Sequence, residues 1–209
     1  DFTDVNNDAT RVEVNTISAE MAKVRDYVPD YAVMAHRGST FWAPEETESA
    51  WRWAREMGAD YLESDLQCTK DGVILANHDD NLKRTTNIEN VYSELVPATR
   101  KAFYMRHGMS EAEAEKLVAA DKASFRPYYA MSYMYEELLA LDAGSWFNET
   151  SIEQARESFS EQHQYISALE DQIRYAEGKM LARDADGERI YTVTGTWNPD
   201  KPRDCLTTV

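Results

Sequence analysis

Four residues in the first half of the chain carry types that could do chemistry together: His36, Glu63, Asp65 and His78. Reading Tyr31 to Ala35 as a short apolar strand, His36 falls at its C-terminal end, and Arg37-Gly38 begin the turn that leaves it. In the apolar-rich run Tyr61 to Leu66, strand alternation turns Glu63 and Asp65 to one face and Leu62, Ser64 and Leu66 to the other. Two carboxylates so placed make a site for a hard divalent cation, Mg²⁺ or Ca²⁺. Soft-ligand zinc sites are disfavoured, because Cys68 is the only nearby thiol. Imidazole, with an ordinary pKa of about 6.5, lets one histidine accept a proton and the other donate one near neutral pH. Arg37 beside His36 offers a fork for phosphate oxygens.

The elements that must position these groups follow the same spacing. Glu45 to Met57 carries Ala50, Trp53, Ala54 and Met57 at helical intervals, with Gly58 as the residue after the cap. Thr69-Lys-Asp-Gly72 reads as a turn, and Val73 to Asn77 as a third strand that delivers His78 at its end. Strand, helix and strand joined by a parallel crossover is the expected local architecture. Barrels built this way place chemistry at the C-terminal ends of their strands.

The stretch from Tyr31 to Asn87, YAVMAHRGSTFWAPEETESAWRWAREMGADYLESDLQCTKDGVILANHDDNLKRTTN, resembles the N-terminal part of glycerophosphodiester phosphodiesterases, whose signature runs HRG, PEN-T, E-x-D, HD and R-TTN. A second segment, Leu141-Asp-Ala-Gly-Ser-Trp-Phe147, resembles the same family independently. The resemblance implies a TIM-type (β/α)8 barrel. It also implies hydrolysis of glycerophosphodiesters to glycerol 3-phosphate and an alcohol, with a divalent cation as cofactor. Residue by residue it implies His36 and His78 as the acid/base pair, Arg37 for phosphate, Glu63 and Asp65 as metal ligands, and Glu45 in the pocket. In the family the substrate's own neighbouring hydroxyl attacks phosphorus, one histidine acting as base and the other protonating the leaving alcohol. This chain departs from the pattern at Glu46, where the family carries Asn, and that position takes no role from the resemblance.

Each group also has a plainer reading. A strand-end histidine alone is more often structural, the E-x-D pair can be a solvated face, and Arg37 can pair with Glu63; their occurrence together and in order favours the site. His107 and His163 match no motif and are expected to be structural or solvated. Asp184-Ala-Asp-Gly187 lacks the later ligands of a calcium loop and reads as a tight turn.

Composition is that of an ordinary globular chain: 209 residues, 43% hydrophobic, 11% aromatic, with no apolar run long enough to span a bilayer. The formal net charge of −16 opposes long-range attraction of anions, so the phosphodiester needs local compensation, and a nucleic-acid partner is not expected. Only Cys68 and Cys205 occur, and nothing in their spacing demands a disulfide. Residues 1–29 read as an N-terminal extension. The polar opening DFTDVNNDAT resembles a linker behind a removed leader or anchor, which favours an extracytoplasmic setting, periplasmic or secreted, over a cytoplasmic one.

Residues 30–87 are thus expected to form the first portion of the barrel, and 88–209 a mainly helical insertion. Ser110 with Glu113 forms a capping box for a helix through Ala120, and Tyr133 to Leu141 reads as another helix. Ile152, Phe159, Ile166 and Ile173 recur at heptad spacing, which predicts one long helix over 152–176, with a stripe that covers the body or pairs with a second copy. Lys179 to Arg183 and Glu188 to Thr194 are expected to flank a hairpin turn.

A complete barrel typically needs about 250 residues. Only three barrel strands are legible here, and the third metal-binding Glu and the Lys that the family supplies from later strands have no counterpart after Phe147. This polypeptide is therefore expected to be incomplete and inactive by itself. Two other readings stand beside the main one: a phospholipase D-like or phosphatidylinositol-cleaving barrel, and a non-catalytic fragment acting in assembly.

Overall fold

The first strand, β1 (Met34–His36), pairs in parallel with β2 (Tyr61–Glu63) in a register that sets His36 directly opposite Glu63. This is a computed structural model, and it describes residues 31–161, 163–183, 189–193 and 206–208. The chain divides into Asp1–Ala32 and Val33–Val209, and the account below concerns the second unit. The expected extension over 1–29, the Asp184–Gly187 turn and Cys205 lie outside the described residues.

Between β1 and β2 runs α1 (Glu48–Glu56). Thr47 caps it by accepting from the Ala50 N–H, Glu48 and Arg55 complement the helix dipole at its two ends, and Gly58 follows the cap at φ 90°. Trp51 and Ala54 on its inner face are buried with Leu62 of β2 and with Tyr175 and Ala176 further along the chain. The strand, helix and parallel strand expected from the sequence are therefore present, with the helix starting three residues later than its periodicity suggested.

The third expected strand is different. β3 (Leu66–Cys68) and β4 (Ile74–Ala76) form an antiparallel hairpin, so the strand that delivers His78 is not a parallel strand following β2. The cause is local. Thr69–Gly72 closes a tight turn in which the Gly72 N–H donates to Thr69 O at 3.1 Å with Gly72 at φ 87°, and so short a connection can join only antiparallel strands. The parallel neighbour of β2 comes instead from the far end of the chain.

After α2 (Ile88–Val91), α3 (Arg100–Arg106) and α4 (Glu111–Ser124) form a helical pair. The Ser110–Glu113 capping box is present at the start of α4. Arg100 is fully buried between them, forked onto Glu137 at 2.8 and 2.7 Å and bonded to Asp121 at 2.7 Å. Lys70 in the β3–β4 turn also meets Asp121, at 2.9 Å, and so ties this helical pair to the hairpin. A 3₁₀ turn over Ala130–Ser132 leads to α5 (Tyr135–Leu138), a single turn where a helix from Tyr133 to Leu141 was expected.

The predicted long helix over 152–176 does not form. The chain there runs through α6 (Ser145–Thr150), a 3₁₀ turn over Ile152–Gln154, α7 (Ser158–Glu161), an irregular stretch at 163–167 and α8 (Leu169–Ala176). Tertiary hydrogen bonds override the heptad pattern. Ser167 O accepts from Ala76 N at 2.9 Å, Leu75 and Ala168 form an antiparallel bridge, and Asp142 takes the Gln164 N–H at 3.1 Å. The four heptad residues share no stripe: Phe159 and Ile166 are buried in separate clusters, while Ile152 and Ile173 are exposed. Self-association through one continuous helical face loses its basis.

The chain continues with β5 (Lys179–Arg183) and β6 (Arg189–Val193), antiparallel as the hairpin reading expected, and β7 (Leu206–Thr208). β7 pairs in parallel with β2, giving a three-stranded sheet in the order β1-β2-β7. No described helix is long and apolar enough to cross a membrane.

Candidate functional site

The register of β1 and β2 brings His36 Nε2 to 4.0 Å from Glu63 Oε2. One ligand atom each from His36, Glu63 and Asp65 lie within 4.8 Å of one another. Alternation beyond β2 keeps both carboxylates on that side, because Leu62 and Ser64 point into the core. Gln172 of α8 fixes the buried face, accepting from Ser64 Oγ at 2.9 Å and donating to Leu62 O at 2.8 Å. Ligands of one Ca²⁺ sit about 2.3–2.6 Å from the ion, so opposite ligands are about 5 Å apart and the observed separation suits a single cation. Two carboxylates are the donor chemistry of such a site.

Arg37 joins the two carboxylates. Its N–H donates to Glu63 Oε2 and its Nε to Asp65 Oδ2, both at 2.9 Å. Its backbone is left-handed, φ 55°, and its carbonyl accepts from Glu46 N, which is also left-handed at φ 55°. Two non-glycine residues in that region cost on the order of 1–3 kcal/mol each and persist only where the surroundings hold them. Gly38 completes the turn at φ 86° against Ala50 of α1.

Glu45 lies next to this group, with Arg37 Nη1 at 3.5 Å from Oε1. Its stronger partner is Arg84, whose Nη1 and Nη2 donate to the two carboxylate oxygens at 3.1 and 2.6 Å. Arg84 Nε donates to Asp79 Oδ2 at 2.5 Å, and Asp79 Oδ1 lies 2.6 Å from His78 Nδ1. The Arg84 guanidinium, then His78, hold the Asp79 carboxyl below its ordinary range. An ionised carboxylate only accepts, so in this contact His78 is the donor through Nδ1–H.

The structure therefore gathers His36, Glu63 and Asp65 into one cluster with Arg37 across it. His78 is outside that cluster and connects to it through Asp79, Arg84, Glu45 and Arg37. It is brought alongside by the hairpin, where Asn77 N donates to Asp65 O at 2.9 Å and Gln67 Nε2 to His78 O at 3.0 Å. His107 is exposed, with its ring Nδ1 2.8 Å from Phe103 O one turn back, and the His163 ring lies tilted against Tyr165.

Three residues of the site had been given no role. Glu46, set aside because it departs from the family pattern, is 3% exposed and accepts from Asp65 N at 2.7 Å, while its Oε2 has no hydrogen-bond partner among the described residues. Burial, reinforced by the charges of Asp65 and Glu45, pushes its pKa up to about 8 against the opposing Asp65 N–H and Arg37. Asp79 and Arg84 stand inside the HD and R-TTN segments, so their place in those motifs was the signal that could have singled them out.

The model of the Glycerophosphoryl diester phosphodiesterase family matches residues 36–200. The chain is 31% identical over 126 residues to a glycerophosphodiester phosphodiesterase of Bacillus subtilis, covering 60% of this chain and 30% of that protein. It is 28% identical over 160 residues to the mouse glycerophosphoinositol inositolphosphodiesterase GDPD2, covering 74% of this chain and 24% of that protein. Among solved structures, a phosphodiesterase from Oleispira antarctica in complex with sn-glycerol-3-phosphate is similar at 25% identity and a TM-score of 0.44, over 74% of this chain and 44% of that one. The chain thus spans less than a third of the length of these two sequence relatives.

Proposed function

The chain belongs to the glycerophosphoryl diester phosphodiesterase family, and from that premise we propose that it takes part in hydrolysing glycerophosphodiesters to glycerol 3-phosphate and an alcohol. The observation that carries this reading is the cluster of His36, Glu63 and Asp65 within 4.8 Å, with Arg37 hydrogen-bonded across it. Glu63 and Asp65 would hold the cation. Ca²⁺ and Mg²⁺ both favour oxygen over nitrogen, which makes His36 the poorest ligand of the three and leaves it for proton transfer. When bound, the cation supplies charge neutralisation and polarisation of the phosphoryl oxygens.

The chain's own groups perform the remaining steps in this proposal. Arg37 binds and orients the non-bridging phosphate oxygens. One imidazole of the His36 and His78 pair takes the proton of the substrate's neighbouring hydroxyl as its oxygen bonds to phosphorus. The other, protonated, gives its proton to the departing alcohol oxygen as that P–O bond breaks. Water then opens the cyclic phosphate with the two roles exchanged.

The same reading treats β1, β2 and β7 as successive strands of a (β/α)8 barrel, with the residues between β2 and β7 as an insertion. Their parallel order supports it.

The test is release of glycerol 3-phosphate from glycerophosphocholine by the full-length protein, not by these 209 residues alone, with Ca²⁺ or Mg²⁺, and again after chelation. Cation-dependent release that His36→Ala and His78→Ala abolish is expected. Absence of product with either cation, or unchanged turnover in both variants, would reject the reading.

A further inference from the structure

Arg84 does more than decorate a loop. Its three guanidinium nitrogens are all committed: Nε to Asp79 Oδ2 at 2.5 Å, and Nη1 and Nη2 as a fork on Glu45 at 3.1 and 2.6 Å. Asp79 in turn has one oxygen on Arg84 and the other on His78 Nδ1, 2.6 Å away. A carboxylate anchored at one oxygen cannot rotate off the imidazole at the other. Glu45, on the opposite side of the guanidinium, is nearly buried and also faces Arg37. Behind this arrangement stands Trp146 of α6, its ring centroid 6.0 Å from Arg84 Cζ, at the outer limit of a cation–π contact. Trp146 is itself fixed by donating Nε1–H to Ala143 O at 2.9 Å.

We propose that Arg84 is a positioning residue that locks the plane of Asp79, and thereby the tautomer and orientation of His78, while tying that histidine through Glu45 to Arg37. The claim rests on the proposed acid/base role of His78 for its consequence in catalysis, but not for its structural content. Lysine cannot replace Arg84, because one ammonium offers no planar fork that reaches a carboxylate on each side. The arrangement also gives the LDAGSWF segment a task at the site, since its tryptophan backs the guanidinium.

Asp79→Asn separates this idea from a merely structural one. Arg84 Nε can only donate, so the carbonyl oxygen of the introduced amide must turn towards Arg84, and the amide NH₂ then faces His78 Nδ1. His78 Nδ1 becomes an acceptor and the proton moves to Nε2.

The experiment is ¹⁵N-edited NMR of the His78 imidazole in the full-length protein, wild type, Asp79→Asn and Arg84→Lys, alongside circular dichroism and steady-state kinetics. Expected are an Nδ1-protonated ring in the wild type, an Nε2-protonated ring in Asp79→Asn, and mixed tautomers in Arg84→Lys. With unchanged circular dichroism, kcat should fall roughly 10- to 100-fold in both variants with KM little altered, the usual size of effect for a partner that orients an active group. A His78 ring that stays Nδ1-protonated in both variants overturns the proposal, as does a loss confined to KM. If Arg84→Lys fails to fold, the nearly isosteric Asp79→Asn decides alone. Should the wild type release no glycerol 3-phosphate while the tautomer still switches, positioning stands and the functional reading fails.

Discussion

Glu46 accepts a hydrogen bond from the backbone N–H of Asp65 at 2.7 Å, so that a buried carboxyl on the turn after β1 fixes the main chain of a candidate metal ligand just beyond β2. The family pattern has Asn at this position. Either side chain offers an oxygen to that N–H, but only the acid titrates, and burial pushes its pKa from 4.5 up to about 8.

In the metal-free protein this gives a pH signature. Between those two values the folded chain keeps a proton that the unfolded chain has released, so Glu46 contributes its stability fully below about pH 4.5. That contribution is lost as pH rises towards 8. The slope is about 1.4 kcal/mol per pH unit in that window, several kcal/mol in total. Denaturant titrations at pH 5.5 and 7.5 should show it, and Glu46→Gln should flatten the difference. An identical pH dependence in the variant would contradict the assignment.

Charge removal at the cation site should act on binding before it acts on folding. Glu63→Gln and Asp65→Asn each take one negative charge from the cluster at partly exposed positions. Calcium or magnesium affinity should drop at least ~10-fold in calorimetric titration, since affinity for these cations follows ligand charge count. Equal affinity in wild type and both variants would remove these carboxylates from the ligand set.

Gly38 is the tightest backbone point of the site. A Cβ there would sit 2.7 Å from Ala50 Cβ and 2.9 Å from Ala50 C, at φ 86°. Gly38→Ala should therefore destabilise by roughly 1–3 kcal/mol or more, through overpacking and left-handed strain together. Gly72, also at positive φ but with open space around it, should lose less on the same change. Melting curves of the two variants give the comparison, and equal losses would show that packing against α1 contributes little.

Arg100 tests the packing of the α3–α4 helical pair. It is fully buried and its partners Glu137 and Asp121 are nearly so. Arg100→Ala leaves both carboxylates in the interior without it and should cost roughly 3–5 kcal/mol. Replacing the arginine and Glu137 together by apolar residues should recover part of that loss. A double variant as unstable as the sum of the singles would indicate no coupling between them.

The sequence by itself determined which residues are candidates for the site and the short elements that carry them. HRG, E-x-D and HD each lie within a few residues of a strand, and a strand's two-residue period fixes which side chains share a face without reference to the rest of the molecule. That is why His36, Glu63, Asp65, the end of α1 at Gly58 and the Ser110 box were legible. Tertiary structure alone decided what lay between distant segments. It placed β7 rather than the His78 strand beside β2, broke the heptad run at Ile152–Ile173 by hydrogen bonds to β4 and Asp142, and joined Arg84 to Glu45 and Asp79. Strand order, the partners of a buried carboxyl and the backing of a guanidinium by Trp146 depend on contacts between residues far apart in the chain, and periodicity is blind to those.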